Sequence, residues 1–463
     1  MSMLLEMLGQ HAHNLSERIA LLDGDQQITY ADLLPRITQK TAELKGSQCR
    51  VIGIQLDNSA DWVLWDLATV AAGIVCVPLP AFFTQQQTEH VIRSAGIDHL
   101  VTAQGLVATG LADTVDLPQG TSKITFTSGT TGTPKGVCLS QQGLEQVAQS
   151  LVAVIGADHA ADHLSILPLA ILLENVAGVY SALLAGATCH LYGLAQIGMG
   201  NPFQPDFQQL ALKMVLHKIS SAILVPELLR GLAYTLMQVG VRLPDLKFFA
   251  VGGSKVAPEL LLQAQALGLP VYEGYGLSEC ASVVALNTPA SALIGAVGKV
   301  LPHIELSCED GEILIHNPAF LGYLGAPQHG TFATGDLGYV DTDGFLHISG
   351  RKKNLLITSF GRNVSPEWVE SALLSQPEIA QAVVFGDAQP YLTALLVPLT
   401  VQADLDAAVR RVNEGLPAYA RVGVFHAIAP FTVAAGMLTG TGRPRREAIA
   451  KQYHHLICEG IQA

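Results

Sequence analysis

Short apolar runs alternate with helix-like segments along most of this chain, and no other feature restricts its fold as strongly. Cys49–Leu56 (CRVIGIQL) is a strand-length apolar run carrying β-branched residues. Asn58 and Ser59 can cap a helix over Asp61–Ala72, Gly73 ends it, and Ile74–Val77 resumes as a strand. Strand, helix and strand make a βαβ unit. Ser220–Val225, Phe248–Val251 and Val271–Tyr272 are further short apolar strands after amphipathic stretches. The alternation predicts an α/β fold, with mostly parallel sheets flanked by helices.

Near Gly350 the character changes. Gly350–Lys353 is basic and polar, and two Gly/Asp turns, Asp336–Gly338 and Asp343-Gly344, are expected before it. Beyond it Pro366–Leu374 reads as a helix, and Ala382–Gly386 and Thr393–Val397 as strands. The expected division is a large N-terminal domain over 1–350 and a small α+β C-terminal domain over 351–463.

Composition removes several classes of function. The 463 residues include 26 Lys+Arg and 39 Asp+Glu, a net charge of −13. A nucleic-acid binder needs a basic surface, so nucleic acid is excluded as a partner. Charged residues make up 14% of the chain and apolar ones 49%, which argues against disorder. No apolar stretch approaches the roughly 18 residues of a membrane span. Met1–Gln10 contains Glu6 and lacks the basic start of a secretory signal. The seven cysteines, scattered from Cys49 to Cys458 without a CxxC, read as reduced core thiols, and the expected compartment is the cytoplasm. His454 and His455 are adjacent, and no HExxH or Cys/His spacing predicts a protein-held zinc.

The strongest local signal is Thr125–Val137, TFTSGTTGTPKGV. Lys123–Phe126 can form a strand. Thr127, Ser128, Gly129, Thr130, Thr131, Gly132 and Thr133 then follow with little side-chain bulk, and Lys135 adds charge. Small residues expose backbone N–H groups and five hydroxyls add donors, which suits a polyphosphate. The alternative, a flexible linker of the same composition, would not usually sit between an apolar strand and another apolar segment, Val137–Leu139. The run is not a Walker A loop, because no GK[ST] closes it.

TSGTTGTPKGV resembles the phosphate-loop motif of the adenylate-forming enzymes: acyl-CoA synthetases, adenylation domains and luciferase-like ligases. Other segments match in order. Glu273–Glu279 (EGYGLSE) resembles the family's YGxTE segment, with Ser278 where threonine is commoner. The resemblance implies that Tyr275 stacks beside the adenine within Glu273–Gly276, that Ser278 contacts the α-phosphate, and that Glu279 helps hold Mg²⁺. An aromatic face and a hard carboxylate oxygen suit those tasks. Gly252, Gly253 and Ser254 of AVGGS resemble the turn flanking the adenine. Asp336 in TGD resembles the residue that binds both ribose hydroxyls. Arg351, 15 residues on, matches an arginine that also reaches the ribose, and Lys353 matches the hinge about which a mobile C-terminal domain turns. Gly295–Pro302 (GAVGKVLP) resembles a structural turn before a small β-subdomain. Gly361, in SFGRNVSPEWVE, falls where backbone lines a pantetheine tunnel.

The resemblance implies an ATP-dependent, AMP-forming ligase. It would activate a small carboxylic acid as an acyl-adenylate and pass the acyl group to a thiol, that of CoA or of the phosphopantetheine on an acyl carrier protein. The nearest motifs are those of fatty acyl-CoA synthetases, implying a medium- or long-chain fatty acid.

Two segments depart from the family. Gly436–Arg446 (GMLTGTGRPRR) places Arg443 where the family has its catalytic lysine. Arginine keeps the charge but differs in reach and shape, and Pro444 stiffens the position. A degenerate homologue that binds nucleotide or acyl groups without ligation is therefore the alternative reading. In Leu167–Glu174 (LPLAILLE), Ile171 replaces a histidine common in long-chain relatives. That stretch reads equally as the border of an acyl pocket or as a buried helix.

Overall fold

The computed structural model describes residues 2–111, 115–127, 134–159, 161–201, 204–316, 318–328, 330–440 and 442–458. They divide into two compact units. One comprises Met1–Ser254, Ala264–Leu306 and Ile315–Phe332; the other Lys255–Gln263, Ser307–Leu314 and Ala333–Ala463.

The βαβ reading holds at its first unit. Val51–Ile54 and Val75–Pro78 pair in parallel, with the helix Ala60–Ala72 between them. Ser59 accepts a hydrogen bond from the Trp62 amide, and Gly73 ends the helix in the left-handed conformation. Val75–Pro78 pairs in parallel with Thr121–Thr127 within an eight-stranded sheet. A nine-stranded sheet carries Ser221–Leu224, Phe248–Val251 and Val271–Leu277 as parallel neighbours. Both belong to the first unit, with helices buried against them, and the expected α/β class is present. The helices Ala60–Ala72 and Gln141–Ile155 bury mainly apolar side chains in this core.

Two local expectations need correction. Asp336–Gly338 is not a turn: it runs inside the strand Phe332–Val340, and the chain reverses at Asp343-Gly344. Leu167–Ile171 is not helical either. The chain makes a turn there, Ile171 N–H donating to Pro168 O at 2.9 Å, and Leu173–Tyr180 then winds as a π-helix. Apolar periodicity does not separate α from π winding over so short a run.

That winding has a reason in a neighbouring strand. Lys123 is fully buried in Thr121–Thr127, and its Nζ lies 2.8 and 3.0 Å from the two oxygens of buried Asp66. Asn175 donates from Nδ2 to Asp66 at 2.9 Å and accepts from Lys123; Tyr180 donates to Asp66 at 2.7 Å. Residues 175 and 180 would point about 140° apart on an α-helix. Hydrogen bonding from i to i+5 brings residues five apart toward one face, so both reach the same carboxylate. Burial and the adjacent Asp66 push the Tyr180 hydroxyl pKa well above its usual value. Glu174, on the same segment, is fully buried; it bonds His163 Nε2 at 2.9 Å and accepts from the Leu167 amide at 3.0 Å.

In the second unit Asp336–Val340, the end of the strand Phe332–Val340, pairs antiparallel with Leu346–Arg351. A three-stranded sheet of Ile379–Phe385, Leu392–Pro398 and Val422–Ala427 packs with the helices Pro366–Leu374 and Leu405–Gly415 around a separate core. Among the described residues no helix is long and apolar enough to cross a membrane. Cys49, Cys76, Cys138, Cys189 and Cys280 are buried free thiols, and Cys308 is exposed.

His303 supplies an acid-sensitive point in the first unit. Its Nδ1 lies 2.8 Å from Ser150 Oγ, its buried Nε2 has no partner among the described residues, and burial pushes its pKa down to about 4. The unfolded imidazole takes a proton near 6.5, so this contribution to stability is complete above that pH and is lost as pH falls toward 4. Between pH 7 and pH 4.5 the wild-type Tm is expected to fall further than that of His303→Gln. Parallel Tm curves for the two proteins would remove the assignment.

Candidate functional site

The glycine- and hydroxyl-rich segment joins two paired strands. Thr121–Thr127 and Lys135–Ser140 run antiparallel, with Thr127 opposite Lys135 and Phe126 opposite Gly136. Thr127 is half-buried and Lys135 exposed. Ser128, Gly129, Thr130, Thr131 and Gly132 lie outside the described residues. Both ends of the segment are anchored. Lys123 fixes the upstream strand through Asp66, and His90 donates from Nε2 to Pro134 O at 3.2 Å.

A second group comes from the nine-stranded sheet. Phe248–Val251 leads into Gly252, whose amide donates to Leu224 O at 3.2 Å. A Cβ on Gly252 would lie 2.9 Å from Gly274 O, so only glycine lets this turn approach the strand that carries Glu273 and Tyr275. Gly253 and Ser254 follow it and are exposed. Glu273 is buried, and Tyr275 is half-buried. Val271–Leu277 then pairs antiparallel with Ser282–Leu286, and the register shifts between Tyr275 and Gly276. A Cβ on Gly276 would stand 1.6 Å from Ser282 O. Ala281 and Ser282 have φ of 55° and 120°, so backbone strain is stored beside the 3₁₀ turn Ser278–Cys280.

That turn presents Glu279, half-buried, to Tyr323. The Tyr323 hydroxyl donates to Glu279 Oε1 at 2.7 Å. Tyr323 ends the strand Phe320–Tyr323, which pairs antiparallel with Lys135–Ser140, Tyr323 opposite Val137. Lys135 Nζ stands 5.9 Å from the Tyr323 ring centroid. Two residues expected from sequence, Lys135 and Glu279, thus meet across a third that was not. An anionic carboxylate, a phenol and an ammonium gather beside the end of the hairpin. Oxygen donors of this kind fit a hard divalent cation.

The second unit holds the other expected residues. Asp336 and Arg351 face each other across paired strands, with Arg351 Nε 2.7 Å from Asp336 Oδ1. Asp336 is buried and its amide donates to Thr334 Oγ1 at 3.0 Å, whereas the Arg351 side chain is 50% exposed. Lys353 is exposed in the turn after Arg351; its neighbour Lys352 bonds Glu312 at 2.6 Å. Gly361 sits in the turn between Leu356–Ile357 and Asn363–Val364. Arg443 is exposed on another turn, its carbonyl accepting from the Thr439 amide at 2.8 Å and its amide donating to Thr439 Oγ1 at 3.0 Å.

Sequence reasoning missed Tyr323, His90 and the Lys123 network. Tyr323 is 44 positions from Glu279 and sits in no local pattern. Lys123 did carry a signal: a lysine in an apolar strand and Asp66 in an apolar helix are charges that must find each other. Cys49, Asp98 and His99 also bring three potential ligand atoms within 4.8 Å of one another, a group not anticipated from histidine spacing. Asp98 is there engaged by the Arg50 amide and by His99 Nδ1.

Residues 8–124 and 117–324 match the family described as AMP-binding enzyme, and residues 353–460 match the AMP-binding enzyme C-terminal domain. The chain is 35% identical over 238 residues to the long-chain-fatty-acid–CoA ligase FadD15 of Mycobacterium bovis, covering 44% of this chain and 40% of that protein. It therefore spans less than half the length of that relative. It is 26% identical over 432 residues to the 2-succinylbenzoate–CoA ligase of Bacillus subtilis, covering 82% of this chain and 84% of that protein. Among solved structures, the anthranilate CoA ligase AuaEII in complex with anthranoyl-AMP superposes with a TM-score of 0.83 at 20% identity, over 97% of this chain and 96% of that one.

Proposed function

This chain belongs to the AMP-binding enzyme family, and from that premise we propose that it activates a carboxylic acid with ATP and transfers the acyl group to the thiol of CoA. The observation that carries the reading is the convergence of Lys135 and Glu279 on Tyr323 beside the hairpin that bears TSGTTGTPKG.

Thr127–Gly132 and Lys135 hold the phosphates, Ser278 contacts the α-phosphate, and Gly252, Gly253, Ser254, Glu273, Tyr275 and Gly276 frame the adenine. Asp336 accepts from the ribose hydroxyls, with Arg351 holding its carboxylate in place. Magnesium, when bound with ATP, neutralises phosphate charge, and Glu279 is the residue that would hold it. The acid's carboxylate oxygen attacks the α-phosphorus and pyrophosphate departs, leaving an acyl-adenylate. Arg443 stabilises the charge that develops in that step. The CoA sulfur then attacks the acyl carbon, its proton passes to solvent, and AMP leaves. In this reading residues 1–350 carry activation and residues 351–463 move about Lys353, so that Gly361 lines the pantetheine path. Exclusion of water protects the mixed anhydride between the steps.

A medium- or long-chain fatty acid is the proposed substrate. The FadD15 relative and the largely buried apolar stretch Leu167–Leu172 support it. The test is pyrophosphate release over a panel of fatty and aryl acids, followed by mass analysis with CoA and with a phosphopantetheine-loaded carrier protein. Release with fatty acids and an acyl-CoA product are expected. ATP binding without release for any acid would sink the ligase reading in favour of a nucleotide-binding homologue.

A further inference from the structure

We propose that Tyr323 is a positioning residue for nucleotide and metal binding: its hydroxyl orients the Glu279 carboxylate toward the cation, and its ring seats Lys135 beside the phosphates. The proposal rests on the ligase reading for its purpose, but its geometry stands independently.

Glu279 sits on a short 3₁₀ turn, and a glutamate side chain is free about three torsions. Engaging Oε1 with the Tyr323 hydroxyl at 2.7 Å removes much of that freedom before any cation arrives. Outer-shell groups of this kind orient a metal-binding oxygen. The same ring lies 5.9 Å from Lys135 Nζ, within the range of cation–π attraction. Tyr323 is itself well held. Its strand pairs with Lys135–Ser140, and its ring meets Phe320 edge-on at 4.8 Å. Phe320 in turn packs on Phe332 at 5.3 Å. The neighbouring rings in this cluster are phenylalanines, so packing alone asks for no hydroxyl here. The hydroxyl is the atom that distinguishes a positioning role from a filling one.

The test uses the full chain and a readout other than turnover. ATP binding is measured by calorimetry across a series of Mg²⁺ concentrations, and again in EDTA, for wild type, Tyr323→Phe, Glu279→Gln and the double variant. Tyr323→Phe keeps the ring and is expected to raise the half-saturating Mg²⁺ concentration about 10-fold, the lower end for losing a group that orients a metal ligand. ATP affinity in EDTA should stay within about two-fold, because the Lys135–ring contact survives. The double variant should match Glu279→Gln alone, because the hydroxyl acts through that carboxylate. Tyr323→Leu should weaken ATP binding in EDTA as well. Superimposable magnesium curves for wild type and Tyr323→Phe would overturn the proposal, as would fully additive effects in the double variant. Absence of pyrophosphate release with every acid sinks the ligase reading, while the binding titration still judges Tyr323.

Discussion

Arg443→Ala is expected to slow acyl-adenylate formation about 100-fold or more, in line with the loss of a group that stabilises developing charge. Thioester formation from supplied acyl-adenylate should proceed nearly unchanged, since the second step does not build charge at the same place. Arg443 is exposed, and what shapes its turn is backbone: its own amide and carbonyl bond Thr439. Removing the side chain leaves those two bonds of its backbone in place. Arg446, three residues on, is different. It donates to Val384 O at 2.9 Å and pairs with buried Glu370, so Arg446→Ala would act through folding. Arg443→Lys restores the residue type of the family and should retain most of the rate. Single-turnover adenylation and thioesterification, measured separately, check both. Unchanged adenylation in Arg443→Ala would show that another group does the work.

Lys123→Met is expected to destabilise the first unit by about 3–5 kcal/mol, the usual cost of breaking a buried pair by removing one partner. Lys123 and Asp66 are each 1% exposed at the side chain, so the orphaned carboxylate has no water to turn to. Asn175 and Tyr180 still donate to it, but a neutral amide and phenol do not cancel a full charge. Lys123→Met combined with Asp66→Asn should recover a large part of the loss, because the uncompensated charge disappears. Urea unfolding midpoints for the two variants check this. A Lys123→Met variant within about 0.5 kcal/mol of wild type would mean that the pair carries no net weight.

How far such features can be read from sequence depends on how local their physics is. Ser59 and Gly73 bracket their helix as the residue types dictate, because a cap satisfies backbone groups a few positions away. Asp336 and Arg351 were legible as ribose-binding candidates by resemblance, and their pairing followed from a two-strand hairpin closing at Asp343-Gly344. The Tyr323–Glu279 contact was not legible, because it joins a 3₁₀ turn beside the nine-stranded sheet to a strand of the eight-stranded sheet, 44 positions on. Asp336–Gly338 was misread because Asp and Gly favour turns, while here the strand pairing overrides that preference. The π-helix was invisible for a further reason: its cause lies on other elements, Lys123 on the strand Thr121–Thr127 and Asp66 on the helix Ala60–Ala72.

That cause has a consequence for the number of residues in the segment. Loops absorb the insertion or deletion of a residue at little cost, and buried α-helices do so by sliding or fraying at an end. Leu173–Tyr180 has neither outlet, for Asn175 and Tyr180 must both arrive at one carboxylate. Dropping one residue between them would leave a spacing of four, which α winding already brings to one face, so the π turn would give way to an α turn; adding one would make the spacing six, which neither winding aligns, and would turn Tyr180 away from Asp66. The count between those two positions is thus bound to the Asp66 carboxylate that neutralises Lys123 in the strand leading to the hairpin, and an added residue here would be felt there first.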